Sequence, residues 1–528
     1  MKQPLPTTLL AVTIGSYLLL GAFSLSPSDF GTIHDEGIYA VTAKSLAETG
    51  EYRIISLPGE PVQRKYPIVF PAILSMVWRI WPEFPGNILP MKAVSLMAGA
   101  VFLAFSYCLL RTVRDVSHRA AAVIVAICAF APATCDLANS VMSELVYGAF
   151  SMTALWLLER ALRHSASPWL GVASGGFAGC ALLTRSVGMA LVIAIIGGLA
   201  WRRNWRLLSM TALGLVLLVI PVKLWESPAS DVDRAYEYYV GYGDWFRHAV
   251  ADVGPRFFVW VPIKNLGYSF AGLSGTMLPA RLGIFPTGAL LNFVLLGLLI
   301  AGAFGVLLTI VGVSGRVCRR APDVWALYLA CYLIVLLIWP FPPAPRFFIP
   351  LLPLILVACR DGMARTGWFT SNPIRFLLAG VGVLTFLTTS GLSAVDRIGK
   401  AHVPTATTRY NWIIKNSKPD DVIACIDDPK CYLLTGHKSV LIAIPNMSPL
   451  YVPESGDVIR PGTMLEMLAA SQAKLLMLEA TREPNTLEQL ARDALETLRT
   501  QHPDLLEELW RDDREPAVIY RVNAAPQK

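Results

Sequence analysis

His34-Asp35-Glu36-Gly37-Ile38-Tyr39 sets an acidic pair about ten residues beyond the first membrane-length apolar run, residues 7–25. Carboxylates at that address point to chemistry at a membrane surface, where a base can take a proton from an incoming hydroxyl. A little further on, Arg64-Lys65-Tyr66-Pro67 offers cations suited to a phosphate. Ile38, Val41, Ser45 and Leu46 recur at helical spacing until Gly50. With Asp35 as the expected N-cap, the pattern predicts a short amphipathic helix lying at the interface.

The composition says what kind of chain surrounds this stretch. Of 528 residues, 54% are hydrophobic and only 16% charged, and the mean hydropathy is +0.51. Such a chain is too apolar for an ordinary soluble protein and reads as a polytopic α-helical membrane protein. The net charge of +7 does not indicate a nucleic-acid partner, because the arginines fall in short clusters between apolar runs, where they orient the chain. Six of the nine cysteines (Cys108, Cys128, Cys135, Cys180, Cys331 and Cys359) lie in apolar stretches and read as small hydrophobes. The N-terminal run is expected to be retained as a span, although Ala22-Phe23-Ser24 loosely resembles a signal-peptide cleavage site.

At roughly 20 apolar residues per span, about eleven transmembrane helices are expected between residues 7 and 392, several of them short. Residues 66–81, with Pro67, Pro71 and Arg79, read either as a short span or as a helix against the bilayer. If they stay outside, the clusters around Arg111, Arg160, Arg202, Arg316 and Arg360 all fall on one face. The positive-inside rule therefore predicts a cytoplasmic N-terminus and an external C-terminus. Residues 26–87 and 226–286 become long external segments. From about residue 395 the apolar runs shorten. Helix-like 405–416, 429–435 and 486–499 alternate with strand-like 421–425, 474–478 and 517–522, which predicts an external α/β domain over 395–528 after a transmembrane domain over 1–394.

On this topology the candidate residues share the external face: Asp35, Glu36, Arg64, Lys65, Tyr66, Glu144, Arg185 and Arg346. Arg185 and Arg346 depart from the positive-inside pattern in short loops, so they invite an anion-binding role. Each residue has a plainer reading. Asp35 could cap its helix, Glu36 reads more as a supporting group, Glu144 reads equally as a cap of the next span, and Arg64, Lys65 and Arg346 could snorkel to headgroups. The aromatic cluster Tyr236, Tyr238, Tyr239, Tyr242, Trp245 and Phe246 reads as an interfacial belt. The seven histidines show no metal-ligand spacing and there is no phosphate-cradling glycine loop, which argues against soluble nucleotide-sugar chemistry.

Taken together these motifs resemble the GT-C fold glycosyltransferases, the superfamily of protein O-mannosyltransferases and the lipid A aminoarabinose transferase. The similar stretches are Asp35-Glu36, Arg64-Lys65-Tyr66-Pro67 with Phe70-Pro71, Met142-Ser143-Glu144, Leu183-Thr184-Arg185, and Arg346 through Pro353. Residues 412–416 through 432–436 are similar to the external domain of bacterial members. Tyr66 stands between lysine and proline, a departure from the family's Lys-Pro-Pro form. The resemblance implies transfer of one sugar from a polyprenyl-phosphate donor to an acceptor hydroxyl, with inversion and without a nucleotide. The acceptor is a lipid, glycan or protein. It also implies a multi-pass bacterial inner-membrane protein with its active site in the periplasm.

In that scheme Asp35 is the base, Lys65 with Arg346 or Arg185 takes the departing phosphate, and Glu36 or Glu144 eases positive charge at the anomeric carbon. Arg64 and Tyr66 are possible substrate contacts. No cofactor or metal is expected, although some GT-C oligosaccharyltransferases hold a divalent ion with acidic residues. Two other readings remain open, a lipid-sugar flippase and a transferase using a diphosphate-linked glycan. The first predicts charge near the midplane and internal symmetry, and the sequence shows neither. Finally, Cys425 and Cys431, six positions apart in the external domain, are expected to form a disulfide.

Overall fold

The computed structural model describes residues 5–113, 116–163, 168–226, 239, 241–276, 289–367, 373–400, 407–446, 448–452, 457–479, 487–512 and 517–523. The chain divides into two compact units, each built from separated segments. The first combines Met1–Ser26, Lys92–Glu226 and Pro262–His402, and the second combines Pro27–Met91, Ser227–Val261 and Val403–Lys528.

The first unit is helical. Among the described residues of the whole chain, four helices are long and apolar enough to cross a membrane: Thr7–Ser24, Ile88–Leu110, Trp205–Trp225 and Pro345–Arg365. A fifth is counted if His118–Phe130 and Pro132–Ala138, bent by 61°, form one broken span. The break falls at Pro132, which opens the second piece, where its missing N–H costs nothing. Shorter apolar helices such as Val324–Ile338 account for further runs that the sequence reads as spans.

Small residues bring helices of this unit together. A Cβ on Gly175 would collide with the carbonyl of Thr211, and one on Gly214 with the carbonyl of Val172. The helices Pro168–Leu182 and Trp205–Trp225 therefore touch backbone to backbone. Not every arginine serves orientation alone. Arg316 is buried and paired with Asp361 at 2.7 Å and with Asp323 at 3.3 Å.

In the second unit the helices are α1 (His34–Glu48), α2 (Val69–Ile80), α3 (Tyr242–Val253), α4 (Thr408–Asn416), α5 (Asp428–Thr435), α6 (Pro461–Ser471) and α7 (Leu487–Gln501). The strands are β1 (Ile423–Cys425), β2 (Ser439–Leu441), β3 (Leu475–Glu479), β4 (Leu506–Asp512) and β5 (Ala517–Val522). They form one sheet in the order β2-β1-β3-β5-β4. β1 runs parallel to β2 and β3, with Cys425 opposite Leu441, and β5 is antiparallel to β3 and β4. Tyr410, Ile413, Ile423, Leu475, Met477 and Ile519 fill the core beside it.

The helix and strand expectations for this region hold with shifted ends. The sequence reading lacks β2, β4 and α6. Residues 480–486, where one predicted helix begins, lie outside the described residues, as do Tyr236 and Tyr238 of the aromatic cluster and the side chains of Tyr242 and Trp245. The expected bridge between Cys425 and Cys431 needs correction, because both are free thiols buried in the sheet core. Cys425 ends an interior strand and Cys431 turns inward from α5, so both pack as small hydrophobes.

Helix α1 also departs from expectation. Ile33 is its N-cap and offers no side-chain bond, so Asp35 and Glu36 lie inside the first turn rather than before it. The helix is buried from Glu36 to Ala43 instead of resting on a surface. It packs on α2, where Trp78 Nε1 donates to the Ala40 carbonyl at 3.0 Å and Tyr39 meets Phe70 edge-on at 4.9 Å. At 12 residues α2 is about 18 Å long, short of the roughly 30 Å hydrocarbon core.

Candidate active site

Within the second unit, the loop between α1 and α2 delivers the cation to the carboxylates. An antiparallel bridge pairs Arg53 with Val62, and Gln63 N–H donates to the Tyr52 carbonyl at 2.9 Å. Gln63 Oε1 then accepts from the backbone N–H of Lys65 at 2.7 Å and of Tyr66 at 3.3 Å. The Tyr52 hydroxyl closes the loop by donating to the Tyr66 carbonyl at 2.9 Å. A turn built from its own polar groups thus fixes Lys65 and Tyr66 in place.

Tyr66 donates its hydroxyl to Asp35 Oδ1 at 2.6 Å, and Lys65 Nζ lies 5.5 Å from the centre of the Tyr66 ring. Lys65 is 5% exposed. Burial pulls its ammonium down from the ordinary lysine value to about 8, and Asp35 partly offsets that. Glu36, 1% exposed, accepts the Gly31 N–H at 3.0 Å, a structural use of the second carboxylate. Arg64 is exposed.

The first unit holds the other candidates. Glu144 is fully buried at the start of the helix Glu144–Arg163. Arg185 Nη1 lies 2.8 Å from Glu144 Oε1 and Arg346 Nε lies 3.8 Å from the same oxygen. Both guanidinium groups also stack on Phe347, at 5.7 Å and 5.1 Å. Arg185 bonds Ser143 Oγ at 3.0 Å as well. So the sequence candidates form two sets, Asp35, Glu36, Lys65 and Tyr66 in one unit and Glu144, Arg185 and Arg346 in the other.

Sequence reasoning misses His34 and Asp428. His34 Nε2 lies 2.7 Å from Asp428 Oδ1, across 394 positions of chain. Burial opposes charge on His34, but Asp428, with Asp427 and Asp35, outweighs it and raises the imidazole pKa. Burial likewise lifts the Asp427 carboxyl to about 7, against the pull of Lys430 and His34. The one available sequence signal was the adjacency of His34 to the acidic pair. Among the described residues no group of three or more histidine, cysteine or acidic side chains has the arrangement of a metal site.

The fold resembles that of the GT-C membrane glycosyltransferases, the superfamily of the protein O-mannosyltransferases and ArnT. Residues 65–225 match the family model described as dolichyl-phosphate-mannose-protein mannosyltransferase. The solved structure of ArnT from Cupriavidus metallidurans, bound to undecaprenyl phosphate, superposes with a TM-score of 0.51 at 15% identity, covering 99% of this chain and 100% of that one. The archaeal oligosaccharyltransferase AglB from Archaeoglobus fulgidus, in complex with an inhibitory peptide and a dolichol-phosphate, gives a TM-score of 0.55 at 12% identity, covering 98% and 74%. No curated protein sequence matches the chain.

Proposed function

We propose that the protein transfers one sugar from a polyprenyl-phosphate donor to an acceptor hydroxyl on the external face of the membrane, with inversion. The observation that carries this reading is the joining of Asp35, Tyr66 and buried Lys65 by the loop between α1 and α2. Asp35 takes the acceptor's proton as its oxygen attacks the anomeric carbon. The bond from that carbon to the phosphate oxygen breaks, and the charge gathering on the phosphate is met by Lys65. Tyr66 holds the carboxylate in line through its bond to Oδ1. In the first unit, Arg185 and Arg346 are anion-binding groups for a lipid-linked phosphate, with Glu144 holding the guanidinium groups in place. Arg64 is a contact for the substrate's outer part. The chemistry needs no metal, and the proposed location is a bacterial inner membrane with the active site facing the periplasm.

The test is mass spectrometry of envelope lipids and glycans from a strain lacking this protein, with the wild-type and Asp35→Asn genes returned. The expected result is loss of one glycan mass increment, restored by wild type only. Restoration by Asp35→Asn, or a change in lipid distribution with no missing sugar, would overturn the reading, and the latter result would favour a flippase.

A further inference from the structure

The turn that carries Asp35 is pressed against the start of α5. A Cβ on Gly37 would lie 2.7 Å from Pro429 Cβ and 3.5 Å from the Lys430 nitrogen. Gly31, at φ +85°, faces Asp427 and Lys430 with no room for a side chain, and its N–H is the one that binds Glu36. Between these two glycines sits the contact of His34 with Asp428, the latter wholly buried. Tyr239 stands 6.0 Å from the imidazole, ring to ring, and its hydroxyl accepts the Leu441 N–H at 2.8 Å. The pair is therefore tied through α5 and Tyr239 to the sheet.

Successive side chains leave a helix about 100° apart. Holding His34 against α5 consequently sets the direction in which Asp35 leaves α1 toward Tyr66. A buried carboxylate is a costly way to join two helices unless its partner is charged and well aligned. Here the imidazole Nε2 meets the buried carboxylate at 2.7 Å, one residue from Asp35, and that contact favours the charged imidazole against burial. The charged groups facing His34 are Asp35 on its own helix and Asp427 and Asp428 at the start of α5.

We propose that His34 and Asp428 are positioning residues that hold the first turn of α1 so that Asp35 meets the acceptor hydroxyl, which makes the C-terminal α/β segment a part of the active site. This rests on Asp35 being the base. His34→Asn is too short to reach Asp428, whereas His34→Gln is long enough, and both are mild changes that tolerate water. Each is assayed with Asp35→Asn as control, by release of undecaprenyl phosphate from a panel of undecaprenyl-phosphate monosaccharides in the presence of extracted acceptor. The expected result is that His34→Asn lowers kcat by about 10- to 100-fold with donor KM within about threefold, the scale of a misplaced reacting group. His34→Gln should recover most of it. Asp428→Ala should match His34→Asn, and the double variant should be no worse than either. Equal kcat in the Asn and Gln variants, or losses that multiply in the double variant, would overturn the inference while leaving Asp35 as the base. An active Asp35→Asn control would remove the base and the inference together.

Discussion

The Tyr66 hydroxyl and Asp35 Oδ1 lie 2.6 Å apart, so the tyrosine that interrupts the lysine-proline motif is bonded to the first carboxylate of the acidic pair. An insertion that looks like a departure in the sequence therefore has a defined place in the site. It also gives Asp35 a fixed orientation that a lone surface carboxylate lacks.

Asp35→Asn is expected to lower transfer by about 10² to 10⁴, the usual worth of a general base, because the amide keeps the shape but cannot take a proton. Since Asp35 is not the cap of α1, no loss of helix capping is expected, and any change in melting temperature reads the weakened Tyr66 bond and the charge removed beside Lys65. Tyr66→Phe should cost less, about tenfold, by freeing the carboxylate to turn. Single-turnover rates with melting curves check both, and a normal rate in Asp35→Asn would show that another group is the base.

Lys65 carries a pH signature. Its pKa in the free protein is pulled down to about 8, so the ammonium is present below that pH and lost above it. kcat/KM should therefore fall on the alkaline side with an apparent pKa near 8, while kcat should hold to higher pH because a bound phosphate favours the charged form. Lys65→Arg should abolish that limb, arginine remaining charged throughout. His34 also loses its proton on the alkaline side, and a limb that persists in Lys65→Arg and vanishes in His34→Gln would assign it to the histidine.

Arg185 and Arg346 should separate by their distance from Glu144. Arg185→Ala breaks the 2.8 Å contact to a fully buried carboxylate, and a stability loss of about 1–3 kcal/mol is expected, less than a wholly buried pair because the arginine is partly exposed. Arg346→Ala, at 3.8 Å, should leave the melting temperature nearly unchanged and lower transfer. Equal thermal losses in the two variants would contradict this ordering.

Cys425 and Cys431 should resist maleimide in the native protein and react after denaturation without reductant. Peptide mapping of the labelled chain reads this directly, and a mass two hydrogens lower on a linked peptide pair would restore the disulfide. Cys431→Ser should destabilise by about 1–3 kcal/mol, since a hydroxyl would enter an apolar core.

What the sequence determined was set by local pattern. Long apolar runs become helices such as Ile88–Leu110 and Trp205–Trp225 because a span needs only its own backbone bonds and an apolar surface. The alternation after residue 400 becomes β1, α5, β3 and β5 for a similar local reason. The chemistry of the acidic pair and of the arginine-lysine motif is also legible, because residue type and spacing suffice to suggest base and cation. The packing of one face of α2 on α1 was not, since a short, mostly apolar helix reads alike against lipid or against another helix. β2, only three residues long, carries no period to detect.

The tertiary structure alone decided which of these residues meet. Asp35 and Tyr66 are joined across 31 positions and His34 and Asp428 across 394. Such contacts depend on helices packing where Gly37 leaves room for Pro429. The cysteine pair makes the same point in reverse: six positions apart and in an external segment by sequence, the two thiols become core residues because β1 and α5 turn both inward. Local sequence carries composition and period. It does not carry the closeness of distant backbones, which is settled only when the whole core closes.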